Sequence, residues 1–210
     1  MSGQEIYDVI IPLSGGIDSC AAAYHWLRDN PNKKALLLHI QLVNGESKYR
    51  QLMEYKASHD IIAYFKQDGL NNFTFKQSQL DYVSAGQIPP IWDIEAVNFL
   101  VGTYMRGFKI NSYIKATNKD DFDQINFEDR LKNSMTILRN VLYPDLEDIK
   151  VLYPNKSLSK KQVIDGLPKP LLNLCWYCRT PVSNTGNNHN TAYLPCCKCE
   201  ACLQISPHIL

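Results

Sequence analysis

Two groups of residues in this 210-residue chain have the types and spacing to do chemistry. The first is SGGIDS, residues 14–19, which directly follows the apolar run VIIPL at 9–13. Gly15 and Gly16 can take backbone angles closed to other residues and let a ligand come close. A helix that begins near Asp18 presents free N–H groups and the positive end of its dipole, which together attract an anion. Ser14 and Ser19 add hydroxyl donors. Asp18 offers carboxylate oxygens to Mg²⁺ held beside phosphates, since a hard cation takes oxygen ligands. The plainer alternative is a strand-to-helix connection in which Asp18 only caps the helix. No Gly-Lys-Ser/Thr ending is present, so this is not the common lysine-bearing nucleotide loop.

The second group is CWYC at 175–178 and CCKCEAC at 196–202, separated by 17 residues. Six of the seven cysteines lie in this stretch. Thiolates gathered in a reducing compartment suggest Zn²⁺ held tetrahedrally by four of them. Cys196, Cys199 and Cys202 recur every third residue, and a tight turn into a helix can aim such a set at one ion. The fourth ligand then comes from Cys175 or Cys178. Buried free thiols and a redox pair are the alternatives. A closed site of four cysteines is structural, so the metal is expected to fasten the tail and to do no catalysis.

The rest of the composition sets limits. Charged residues make up 20% of the chain and the hydrophobic set 45%, as in a globular protein, and the length suits one α/β domain with a small appendage. A net charge of +1 gives no overall field to recruit nucleic acid or an anionic membrane. No signal-peptide pattern and no run of membrane-spanning length occur, so the expected location is the cytoplasm.

The elements that must position both groups follow in order. Residues 6–13 read as the first strand, 18–29 as a helix, and 35–42 (ALLLHIQL) as a strand buried on both faces. Helical patterns cover 47–67, 93–107 and 129–142, and a short helix spans 159–166. Strands are expected at 73–80, 112–117 and 149–153, a loop at 84–90, and an acidic loop from Asn118. Alternating strands and helices predict a doubly wound parallel sheet, whose ligands gather beyond the strand carboxyl ends. SGGIDS and the loop after Thr117 both fall there. Residues 1–168 form the expected nucleotide-binding domain and 169–210 the cysteine-rich tail.

SGGIDS after an apolar strand resembles the PP-loop of the ATP pyrophosphatase superfamily. The resemblance implies ATP bound by Leu13, Ser14, Gly15, Gly16, Ile17, Asp18 and Ser19, with Mg²⁺ on Asp18 and the base near His39 at the second strand's end. A plain strand histidine is the alternative for His39. Together with a tail of the form Cys…CxxCxxC, the chain is similar to one PP-loop family, the 7-cyano-7-deazaguanine (preQ0) synthases, or QueC-like proteins. On that resemblance Zn²⁺ is carried by Cys175, Cys196, Cys199 and Cys202, with Cys178 the substitute for Cys175. Pro154 to Lys160 fits the family's P-x-x-x-x-x-K stretch, so Lys160 is expected on the α-phosphate or the substrate carboxylate, against the alternative of a solvated lysine. Asp120 or Asp121, after Thr117, takes the place of the family's acidic residue.

The activity implied is an ATP-dependent carbon–nitrogen ligase of queuosine-type biosynthesis. It adenylates 7-carboxy-7-deazaguanine and uses ammonia to form the amide and then the nitrile. Asp18, Ser19 and Lys160 would be catalytic, stabilising charge on the departing pyrophosphate. The family commonly forms homodimers. The family's Tyr-Gly-Gln…His and Pro-Gly-Arg-Asn segments are replaced here by VNGESKYR and IPPIWDIEAVN. A divergent member, virus-encoded or recruited to a related pathway, fits those departures. The other readings are adenylation of a tRNA base or a protein terminus, an amide-only product, and a non-catalytic zinc and nucleotide module.

Overall fold

The computed structural model describes residues 5–43, 48–81, 83–84, 93–145, 148–185 and 191–209. The loop expected at 84–90 lies outside them apart from Ser84, as do residues 44–47 and 88–92 of the two replaced segments.

Five parallel strands form the sheet: β1 (Val9–Pro12), β2 (Ala35–Val43), β3 (Phe73–Asp81), β4 (Ser112–Ile114) and β5 (Lys150–Leu152), in the order β3-β2-β1-β4-β5. β1 and β2 are buried because both faces are covered. Helices α1 (Ile17–Asp29) and α2 (Lys48–Gln67) pack on one face, where Ile11, Leu13, Leu37, Ile61 and Phe65 share a core. On the other, α3 (Asp93–Phe108) and α5 (Phe127–Leu142) cover Ile10, Leu36, Leu38 and Tyr113. Gly102 lets α3 and α5 meet closely, since a Cβ there would stand 2.9 Å from a Val141 methyl.

The acidic stretch from Asn118, expected to be a loop, opens instead with the turn α4 (Lys119–Phe122). Asn118 and Asp121 hydrogen-bond each other's backbone N–H groups there, a capping box written in Asn and Asp. The short helix α6 (Lys160–Asp165) starts from a second capping box, Ser159 with Gln162. The last elements are α7 (Lys169–Leu172), the antiparallel pair β6 (Val182–Thr185) and β7 (Thr191–Leu194), and α8 (Glu200–Ile209). Leu171, Cys175 and Ile205 pack in the same core as β1 and α1. No described helix is long and apolar enough to cross a membrane.

Candidate nucleotide loop and cysteine cluster

SGGIDS bridges the carboxyl end of β1 and the first turn of α1, at the point where the strand order reverses between β1 and β4. Gly15 takes φ +87°, and a Cβ on it would lie 2.7 Å from the Glu54 carbonyl oxygen. The loop therefore runs hard against α2, and only glycine fits. Its polar atoms bond to one another. Ser14 N–H donates to Ser19 Oγ at 3.2 Å, Gly16 N–H to Ser14 Oγ at 3.2 Å, and Ser19 Oγ to the Gly16 carbonyl at 3.0 Å. Leu13 and Ile17 are buried and serve as backbone and packing.

Asp18 does not cap α1. Gly16 is the N-cap residue and makes no side-chain bond. The Asp18 carboxylate gathers partners from distant parts of the chain instead. Lys160 Nζ pairs with Oδ2, Asn118 Nδ2 donates to Oδ1 at 3.0 Å, and Asn155 Nδ2 donates to the Asp18 carbonyl at 3.2 Å. Lys160 is thus part of the site and not a solvated lysine; its side chain is 14% exposed. Its own N–H donates to Asp120 Oδ2 at 2.8 Å, while Asp121 caps α4. Burial pushes the Asp121 carboxyl above the ordinary range, against the Asn118 N–H that it accepts. Thr117 is buried beside them. Asn118 and Asn155 were missed in the sequence because single asparagines in loops carry no signature.

His39 lies under the loop. Its Nδ1 meets the Leu13 carbonyl at 2.9 Å and is therefore the protonated nitrogen, while Nε2 is buried with no partner among the described residues. Burial lowers its pKa. The residue holds β2 to the start of the loop. A cleft beside Ser14 is lined by Ile40, Arg50, Gln51, Glu54 and Asp93. Arg50 pairs with Glu54 at 2.7 Å and Asp93 at 2.9 Å, and despite burial these carboxylates hold its proton firmly.

The sulfurs of Cys178, Cys196, Cys199 and Cys202 all lie within 4.8 Å of one another. This corrects the assignment of Cys175. That thiol turns into the core, with Sγ 3.5 Å from the Leu171 carbonyl and Cys20 as a neighbour. Cys175 lies three residues past the end of α7, in the core shared with β1 and α1, whereas Cys178, three residues further on, accepts the Cys196 N–H at 3.2 Å within the cluster. Cys196 to Cys202 is 3.9 Å and Cys178 to Cys199 is 4.0 Å. Four thiolates about 2.3 Å from one tetrahedral ion stand about 3.8 Å apart, so the set fits a single Zn²⁺-sized ion.

Within the cluster, Cys196 is the thiol best placed to ionise. Thr180 Oγ1 donates to Cys196 Sγ at 3.1 Å, joined by the Cys199 and Lys198 N–H groups at 3.3 and 3.5 Å. These hydrogen bonds bring the Cys196 pKa down to about 5. Burial raises Cys178 and Cys202 instead. Cys197 is exposed, at φ +56°, and stays outside the set.

The two sites touch. Trp176 N–H donates to the Gly15 carbonyl at 2.8 Å, and Trp176 Nε1 donates to the Cys178 carbonyl at 2.8 Å. One residue thereby bonds both the SGGIDS loop and the backbone of the cysteine cluster.

No family model matches the chain, and no curated protein matches its sequence. Among solved structures it is similar to the U34-tRNA thiolase NcsA from Methanococcus maripaludis, which carries a [4Fe-4S] cluster. The TM-score is 0.54 and the identity 16%, over 81% of this chain and 59% of that one. It is also similar to NMN synthetase from Francisella tularensis, with a TM-score of 0.47 and 15% identity over 80% of this chain and 65% of that one. The chain thus spans less than two thirds of either protein. The fold is a doubly wound parallel α/β sheet like that of the thiolase, with a C-terminal cysteine cluster able to hold a metal.

Proposed function

We propose that the chain is an ATP-dependent ligase that adenylates the carboxylate of 7-carboxy-7-deazaguanine or a close relative. Ammonia then gives the amide, and a second ATP-dependent round gives the nitrile. The observation that carries this reading is the SGGIDS loop at the strand switch point, with Asp18 and Lys160 in contact beside it. The loop N–H groups, Ser14 and Ser19 would receive the phosphates. Asp18 would hold Mg²⁺, and Lys160, released from Asp18, would follow the α-phosphate. Mg²⁺ supplies charge neutralisation as pyrophosphate leaves. The protein needs no nucleophile of its own, because the acyl-adenylate is already activated.

Cys178, Cys196, Cys199 and Cys202 would hold a structural Zn²⁺ within the 169–210 region. Their mutual spacing supports one ion rather than a four-iron cube, in which each cysteine binds a different iron and the thiolates spread farther.

The test is mass spectrometry of a reaction with 7-carboxy-7-deazaguanine, ammonium, Mg²⁺ and ATP, alongside an Asp18→Ala control. Nitrile or amide that disappears in the control is expected. Absence of any substrate-dependent AMP would overturn the assigned acceptor.

A further inference from the structure

Lys115 directly follows β4. Tyr113, two residues earlier, faces the core under α3 and α5, so Lys115 leaves the strand on that same face. Its side chain is almost out of water, at 7% exposure. Its ammonium reaches one described acceptor, Ser134 Oγ, at 3.5 Å. That hydroxyl donates to the Leu131 carbonyl at 2.8 Å, which leaves its lone pairs toward the lysine. In the first turn of α3, Glu95 has a buried Oε2 with no hydrogen-bond partner among the described residues. Lys115 feels the Glu95 charge, yet no ion pair joins them among those found between described residues.

The neighbouring polar groups are already engaged. Asn98 donates to the Ser134 carbonyl at 2.8 Å and accepts from Tyr113 OH at 3.2 Å. The unmatched capacity therefore belongs to Lys115 and Glu95. An ammonium has three donors, and a buried one left short of acceptors is costly. Burial brings the Lys115 pKa down to about 8, opposed by Glu95, so it still carries its proton at neutral pH.

The place matters as much as the chemistry. In open α/β sheets a ligand occupies the crevice where strand order reverses, here between β1 and β4. SGGIDS leaves β1 toward one face and Lys115 leaves β4 toward the other. Three residues past Lys115, Asn118 bonds Asp18 at 3.0 Å. The SGGIDS loop and Lys115 thus both leave their strands at that switch point, on opposite faces of the sheet.

We infer that Lys115 and Glu95 form the acceptor-recognition subsite. The ammonium would take a ring carbonyl and Glu95 Oε2 the adjacent ring N–H, the lactam edge of a guanine-type heterocycle. This rests on the proposed adenylation and names what reads the acceptor. A neighbouring cation and carboxylate match a carbonyl beside an N–H. An adenine-type ring, with an unprotonated nitrogen in place of that N–H, would leave Glu95 facing a lone pair. Discrimination comes from that mismatch, because an unpaired buried group is penalised more than a pair is rewarded.

Calorimetric titration of the full chain tests it, with 7-carboxy-7-deazaguanine and 7-carboxy-7-deazaadenine as probes. The wild type is expected to prefer the first. Lys115→Met and the near-isosteric Glu95→Gln should each weaken its binding at least about tenfold, with ATP affinity within about twofold of wild type. Wild-type affinity for the deazaguanine in both variants would overturn the subsite while leaving the adenylation reading intact. If the wild type binds neither carboxylate, that reading falls, and hypoxanthine, which has the lactam edge alone, decides the subsite. Hypoxanthine binding that Glu95→Gln abolishes supports it; no hypoxanthine binding refutes it.

Discussion

Replacing Gly15 by alanine separates two effects that the loop combines. The first is conformational. Gly15 sits at φ +87°, where an L residue is disfavoured by about 1–2 kcal/mol. The second is contact. The added Cβ would lie 2.7 Å from the Glu54 carbonyl and 3.2 Å from the Ser58 nitrogen, both backbone atoms of α2. A backbone cannot rotate aside, so α2 or the loop must move, at roughly 1–3 kcal/mol by analogy with overpacked cores. Loss of unfolded-chain freedom returns about 0.4–1 kcal/mol. The net for Gly15→Ala is about 1–5 kcal/mol. Gly69 is the control: φ is +81°, with nothing within 4 Å of the added Cβ. Gly69→Ala keeps only the conformational effect, about 1 kcal/mol or less. Denaturant unfolding measures both, and ATP titration should show binding lost in Gly15→Ala and kept in Gly69→Ala. Equal destabilisation by the two changes would refute the argument that contact with α2 makes this glycine obligatory.

Three other outcomes follow from the site. Cys178→Ser should lower the metal bound per chain by elemental analysis and Cys175→Ser should not; the reverse would restore the assignment made from sequence. Lys160→Met removes the partner of a half-buried carboxylate and should cut turnover by at least about a hundredfold, about 2.7 kcal/mol of transition-state stabilisation, in steady-state pyrophosphate release. Because burial lowers the His39 pKa below 6.5, the folded chain binds fewer protons there than the unfolded chain does. Stability should therefore fall as pH drops from about 6.5 through the folded value and be flat above it, and His39→Leu should flatten that acid limb in denaturant melts at pH 5, 6 and 7.

The sheet was legible because its central strands β1 and β2 are apolar runs and helical stretches alternate with them along the chain. ALLLHIQL marked β2 to within a residue. The turn α4 was not, since NKDD lacks the Ser-x-x-Glu form of a capping box and builds the same bonds from Asn118 and Asp121. The hairpin of β6 and β7 was hidden because only four residues on each side pair. In the site, the motif SGGIDS and the family resemblance pointed to the loop and to Lys160, and cysteine spacing to CCKCEAC, but spacing could not choose between Cys175 and Cys178. That choice depends on which way the chain faces as it leaves α7, a three-dimensional fact that a count of residues between cysteines does not hold. The contacts of Asn118, Asn155 and Trp176 reach across 100, 137 and 161 positions, the last being the span from Gly15 to Trp176, and no local pattern announces them.

The bond from Trp176 N–H to the Gly15 carbonyl also sets an order of events during synthesis. The loop precedes its brace by 161 positions, so a nascent chain can lay down the first strands and α1 while the Gly15 carbonyl is still unpaired, and it gains that bond only once residue 176 has emerged and docked. The segment that carries the cysteines is thus also the one that fixes the loop.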